Sequence, residues 1–373
     1  MRRIARGVSG AALLLGASLT AAAQDAPPEY FQESAKPHLA FQWDFLARYD
    51  NINHLDAYAP YYYYTSTISR GRFELRPELD FIVSPTVKFG VRGVFDYGTE
   101  PNYDNAIYGD NYVSRGAVVD EYFFQWTPGA WNFQAGAFAI PIVATEMMWD
   151  HRDVTTPGAS LSYVHTFAPG STLTFTGAGI YSAQRYQDKS LLGVGQVVWN
   201  WGDESRFAVQ ASSAFWNMDM DDVAPQYYRQ NRIRFLPDGS LSYLSKFQLL
   251  DNLVQLRFPL GGVPASISLD FVHNFGIVGT GPNAYEAAAT VGSVGTPGRW
   301  RAFFVFQYVG RDAIVGAYNT DDWWWHTWAE GYRAGFAYTV LPLVYLQPSV
   351  MWQRRLDSYH WVNRVTIDLV KMF

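Results

Sequence analysis

Six ionisable residues occupy every second position between Arg70 and Phe81: Arg70, Arg72, Glu74, Arg76, Glu78 and Asp80. Guanidinium and carboxylate groups in such a row are not a catalytic set. They are suited to ordering water, ions and dipolar solutes that pass along them. The intervening residues are Gly71, Phe73, Leu75, Pro77, Leu79 and Phe81. In a strand, side chains alternate between two faces, so all six charges share one face and the apolar residues share the other. A helix would spread them around its circumference. A second concentration of charge lies in 139–156, where Glu146, Asp150, His151, Arg152 and Asp153 surround Met147-Met148-Trp149. Asp150-His151 is the one neighbouring pair that resembles an acid–base dyad. Neither G-x-S-x-G nor H-E-x-x-H occurs and the seven histidines are scattered, so an enzyme is disfavoured.

Elements must position these groups, and the chain signals them from its first residues. Arg2, Arg3 and Arg6 precede a short apolar run, and Ala21-Ala22-Ala23 offers a small-residue cleavage site. This pattern predicts a signal peptide over 1–23, cleaved near Ala23. The run is too short for the ~20 apolar residues of a spanning helix. Losing three arginines takes the net charge from −6 to about −9, which argues against nucleic-acid binding. There is no cysteine, so this is not a disulfide scaffold. Aromatics reach 17%, heavy for a soluble domain and natural for a barrel with aromatic girdles.

Alternation and turn punctuation predict sixteen strands, near 39–49, 67–82, 86–97, 115–127, 130–138, 157–168, 171–182, 189–200, 204–215, 243–259, 263–275, 284–294, 299–310, 326–340, 343–354 and 361–373. The connections alternate between short turns, such as Pro128-Gly129 and Leu341-Pro342, and longer loops, such as 139–156, 216–242 and 311–325. Short turns on one side and long loops on the other are the habit of outer-membrane barrels. The predicted class is all-β, a transmembrane antiparallel barrel over 39–373, after a periplasmic segment over 24–38. Charge on a lipid face costs about 2–4 kcal/mol for Arg or Lys near the midplane, so the charged faces line a wet interior.

The alternating last strand, ending on Phe373, resembles the terminal strand of bacterial outer-membrane barrels. That resemblance implies recognition by the barrel assembly machinery. The segment Tyr308 to Tyr318, followed by Asp321-Asp322 and by Gly331-Tyr332-Arg333-Ala334-Gly335, resembles an uncharacterised porin family of proteobacteria. The phosphate-selective porins are a more distant likeness. These resemblances imply an outer-membrane location in contact with lipid and lipopolysaccharide, passive passage of small hydrophilic solutes, and a homotrimer. No cofactor is implied.

In sixteen-stranded porins the third long loop folds into the lumen. Here that is 139–156, and Met-Met-Trp beside four charges suits a loop packed on the wall. The expected constriction is Glu146, Asp150, His151, Arg152 and Asp153. The expected pore wall is Arg70, Arg72, Glu74, Arg76, Arg92, Glu121 and Arg364. Acidic loop residues opposite a basic wall would set a transverse field, or the charges would pair with one another. A selective channel for anions, phosphate or sugars is the alternative, although interleaved acids depart from a phosphate ladder. Asp219, Asp221 and Asp222 begin like a calcium loop but lack its glycine and terminal Glu. Tyr61–Tyr64 and Trp323–Trp325 could stack on sugars, or serve in a girdle or in loop packing.

Overall fold

The computed structural model describes residues 36–55, 67–98, 117–181, 190–219 and 229–372. The signal segment 1–23, nearly all of 24–38, Tyr61–Tyr64, Asp221, Asp222 and Phe373 lie outside them. The strands are β1 His38–Asn53, β2 Thr67–Ser84, β3 Val87–Gly98, β4 Ala117–Trp126, β5 Trp131–Phe138, β6 Thr156–Ala168, β7 Ser171–Tyr181, β8 Leu191–Asp203 and β9 Phe207–Asp219, then β10 Ile233–Phe235, β11 Leu241–Tyr243, β12 Phe247–Leu260, β13 Val263–Asn274, β14 Asn283–Gly292, β15 Trp300–Val309, β16 Ala329–Leu341, β17 Val344–Arg355 and β18 Val362–Lys371. Sixteen of them close one antiparallel barrel, in which β1 pairs with both β2 and β18. β10 and β11 form a separate hairpin within 229–246, which the sequence pattern presents as loop up to Ser242 and as the start of a strand from 243. No helix long and apolar enough to cross a membrane occurs among the described residues.

Closure satisfies both edges of the sheet, and register fixes which side chains face inward. Asp50 lies opposite Arg70, Arg48 opposite Arg72, and Asp44 opposite Arg76 between β1 and β2. Arg48 also lies opposite Asp368 of β18. The inward face buries Arg70, Arg72, Glu74, Arg76, Glu78 and Asp80, while Phe73, Leu79 and Phe81 of the same strand are exposed. β3, β13 and β15 repeat the pattern, with Phe89, Val91, Ile267, Leu269 and Phe304 outside and Arg92, Ser268, Asp270 and Arg301 inside. A register shift after Arg92 places both Asp120 and Glu121 on the buried side of β4.

Among the described residues, two connections that carry the charged groups pack against the inner wall of the barrel. One is 139–155, between β5 and β6. Gly136 just before it has φ 129°, and a Cβ there would meet the Tyr122 carbonyl oxygen at 2.1 Å. Only glycine lets β5 approach β4 so closely at this point. The other is 310–328, between β15 and β16, which the sequence reading placed among the outer loops. It is instead buried: Asp312, Ala313, Ile314, Val315, Tyr318, Trp323 and Trp325 are all shielded from solvent. The run Ala313-Ile314-Val315 needs an apolar partner, and the wall supplies one. Ile140, Ile142, Met147, Met148 and Trp149 of the first loop and Ile314, Val315 and Tyr318 of the second share one cluster with Leu192, Val194, Trp216, Leu249 and Val272 of the wall.

Candidate functional site

The chemistry of the interior concentrates where the two inward segments meet the wall. Trp149 is the joint. Its ring stacks on Trp216 of β9 (centroids 5.6 Å, 25°) and on Tyr318 (4.7 Å, 15°). The segments are also hydrogen-bonded to each other, from the Asp150 N–H to the Tyr318 carbonyl (2.7 Å) and from the Thr320 N–H to the Glu146 carbonyl (3.0 Å). Loop 139–155 is tied to walls on several sides. Val143 exchanges two hydrogen bonds with the Gln196 amide of β8 (2.8 and 2.6 Å), and the Thr145 hydroxyl donates to Asp270 of β13 (2.5 Å). The loop thus spans the interior.

Its charged end reaches β1 and β2. Arg152 donates to Glu74 (2.9 Å) and Asp44 (3.3 Å), and Arg76 donates to the Asp153 carboxylate and the Arg152 carbonyl. Segment 310–328 supplies two further carboxylates. Asp321 accepts from Arg72, and Asp322 accepts from Arg48 (2.6 Å) and pairs with Arg333 of β16 (2.6 Å). Arg48 is also held by Asp368 through two hydrogen bonds (2.7 and 2.9 Å), and Arg364 donates to the Asp321 carbonyl (2.6 Å) and to Asp50 (2.8 Å). These pairs lie beside a cleft lined among others by Arg48, Arg72, Glu146, Arg152, Asp321 and Arg333.

The loop carboxyls fall into two electrostatic groups. Burial opposes ionisation of Asp321 and Asp322. The guanidinium groups of Arg72 and Arg48 around Asp321, and of Arg333 and Arg48 around Asp322, nevertheless hold both well below the usual carboxylate range. Burial wins at Glu146 and Asp150 and pushes both well upward. For Glu146 the nearest cation is Arg333, at 3.7 Å, too loose to offset desolvation. Burial pushes the His151 imidazole down to about 4, so it is neutral at pH 7. Asp150 Oδ1 accepts the backbone N–H groups of Arg152 (3.0 Å) and Asp153 (3.2 Å), and its carboxylate does not orient His151. The dyad suggested by adjacency is not assembled. Asp150, Asp153 and Asp321 each bring a ligand oxygen within 4.8 Å of one another. Arg76 and Arg72 already hold two of the three, which suits an ion-pair network better than a metal.

Of the residues singled out in the sequence, Arg72, Glu146, Asp150, Arg152 and Asp153 line the cleft. Arg70, Glu74, Arg76, Arg92, Glu121 and Arg364 are buried on the inward wall beside it and are engaged in ion pairs: Arg70 with Asp50 (2.8 Å), Arg76 with Glu74 (2.7 Å), and Arg92 with Asp120 (2.5 Å) and Glu121 (2.7 Å). Arg48, Arg301, Asp321, Asp322, Arg333 and Asp368 line the cleft without having been singled out as site residues. The signal for Asp321-Asp322 was the Trp323-Trp324-Trp325 run beside it, the same union of charge and aromatic bulk as in 139–156.

With this geometry in view, solved structures give a fold-level likeness. The chain superposes on OprB of Pseudomonas putida with TM-score 0.62 and 9% identity, covering 90% of this chain and 94% of that one. The barrel has the porin fold. A mutant porin of Rhodopseudomonas blastica aligns at TM-score 0.48 and 10% identity, over 89% of this chain and 100% of that one. No family model and no curated protein matches the sequence.

Proposed function

We propose that this protein is an outer-membrane channel for the passive diffusion of small hydrophilic solutes and ions, narrowed by 139–156 together with 310–328. The observation that carries the reading is the inverted distribution of polarity. A closed ring of strands exposes Phe, Leu, Ile and Val outward and buries charge inward around charged loops. An outward apolar face suits lipid, and closure leaves no strand edge to desolvate. The resemblance of 308–335 to an uncharacterised porin family points the same way. In this reading, small solutes pass through the cleft alongside the ion pairs that Asp321 and Asp322 make with Arg48, Arg72 and Arg333. Fixed charges of both signs at a narrow point sort solutes by charge and dipole as well as by size. Lipopolysaccharide contact, delivery by the barrel assembly machinery after signal cleavage and a trimeric state complete the proposal. Cross-linking of the protein in native membranes tests the last of these.

The deciding experiment is single-channel recording in a planar bilayer, for wild type and Arg72→Ala. Stepwise ohmic currents, with the variant shifted toward cations, support the channel and place Arg72 on its path. Absence of current from folded, inserted protein removes the channel reading.

A further inference from the structure

Arg301 differs from its neighbours in the cleft. Arg48, Arg72, Arg152 and Arg333 each face at least one carboxylate. Arg301 is only 4% exposed and makes no ion pair among the described residues; its polar partners are Gln347 and the Tyr345 hydroxyl. Its Nη2 donates to Gln347 Oε1 (2.6 Å), its Cζ lies 5.7 Å from the centre of the Tyr345 ring, and its Nε is buried without an acceptor. Ala337 of β16 stands opposite Arg301, and its small side chain leaves room to reach past it to β17. Arg301 and Tyr345 are each the second residue of their strands, at the end with short turns. All three side chains line the same cleft as the ion pairs. A buried guanidinium with neither counter-charge nor full hydrogen bonding is costly, and an arriving anion removes that cost.

We propose that Arg301, with Gln347 and Tyr345, forms a binding subsite for the carboxylate of a small monoanionic solute, on the short-turn side of the Asp321–Asp322 crossing. The planar guanidinium matches a planar two-oxygen group, and the Gln347 amide supplies a further donor. One uncompensated positive charge accommodates one negative charge. Asp368 lines the same cleft and repels a second. The subsite rests on the channel reading, since the solute reaches it through the lumen, and binding must be weak enough for release.

The test is line broadening of isotope-labelled acetate by the full-length protein folded in detergent, with inorganic phosphate as competitor. Wild type should bind saturably and phosphate should compete poorly. Arg301→Gln should weaken acetate binding by ~10-fold or more, and Arg301→Lys by less, because charge persists but the planar fork does not. Gln347→Leu, which leaves the charge in place, should give an intermediate loss. Unchanged acetate binding in folded Arg301→Gln overturns the proposal, as does tighter binding of phosphate than of acetate. Conductance is recorded in parallel. Binding without conduction keeps the subsite and removes the channel; conduction without acetate binding keeps the channel and removes the subsite.

Discussion

Replacing Asp322 by Asn tests whether ions pass the charges between the two inward segments. Asp322 holds Arg48 and Arg333, each at 2.6 Å. In Asp322→Asn, Arg48 keeps Asp368 at 2.7 Å, but Arg333 keeps only Glu146, at 3.7 Å. Burial opposes ionisation of Glu146, and the substitution removes one negative charge, so about one positive charge is released into the cleft. A unit charge ~5 Å from a passing ion contributes about 0.8 kcal/mol at the dielectric constant of water. Screening over a Debye length of ~10 Å at 0.1 M salt leaves about 0.5 kcal/mol. Cations and anions move in opposite directions, so the differential is about 1 kcal/mol, or about five-fold in chloride over potassium permeability. Asn keeps the shape and can still accept from Arg48, so the barrel should fold. The assay is the zero-current potential across a potassium chloride gradient. A permeability ratio unchanged within error, or shifted toward cations, refutes the placement of these charges on the conduction path.

Other expected outcomes follow from the same geometry. Glu146→Gln should change selectivity less than Asp322→Asn does, because burial already favours the neutral Glu146 carboxyl. Because burial raises the folded pKa, the neutral form persists above the ordinary carboxylate range and is lost only as the pH rises through the folded value. Wild type should therefore gain cation preference as the pH rises while the variant does not, as read by selectivity against pH. Asp321 and Asp322 have the opposite sign. Their lowered pKa values give stability that is present above about pH 4 and lost only as the pH falls through the folded values, so conductance should stay constant down to pH 4 and change in stronger acid. Trp149→Ala should cost about 3–5 kcal/mol by cavity formation and free both inward segments, raising conductance and lowering resistance to urea. Leu269→Arg, on the outward face of β13, should reduce the free energy of folding into lipid vesicles by about 2–4 kcal/mol, whereas a water-facing position would tolerate it.

Much of the barrel was legible because its physics is local. The alternation in 70–81 follows from the two-residue period of a strand, and the same rule placed Arg92, Asp270 and Arg301 inward. Boundaries slipped mainly where turn residues are weak signals: β16 begins at Ala329, not 326, because Trp328 takes a positive φ of 56° before the ladder starts. The inward position of 310–328 was not legible in the same way. Whether a loop enters the lumen depends on what faces it from distant strands. Asp321 is matched by Arg72, 249 residues away, and Asp322 by Arg48, 274 residues away. Periodicity carries no information about such pairs. Arg48 illustrates this: its inward position follows from alternation along β1, but its partners come from β18 and from a loop that a strand-by-strand reading treats separately.

One sequence feature did foreshadow how the interior is divided. A strand between lipid and a wet lumen alternates, whereas one between lipid and a packed loop is apolar on both faces. Leu191-Leu192 with Val194, Phe215-Trp216, and Leu249-Leu250 break the alternation on β8, β9 and β12. There the inward Leu192, Val194, Trp216 and Leu249 meet Met148, Trp149 and Ile314 rather than water. The charged inward faces of β1, β2, β16 and β18 lie elsewhere on the ring, beside the cleft. The interior is therefore packed on one side and ionic on the other. Because Trp149 stacks on both the β9 wall and Tyr318, loosening the packed side should displace the ion pairs on the other. Conductance changes in Trp149→Ala and in Asp322→Asn are accordingly expected to be non-additive, and full additivity in the double variant would show that the two sides act independently.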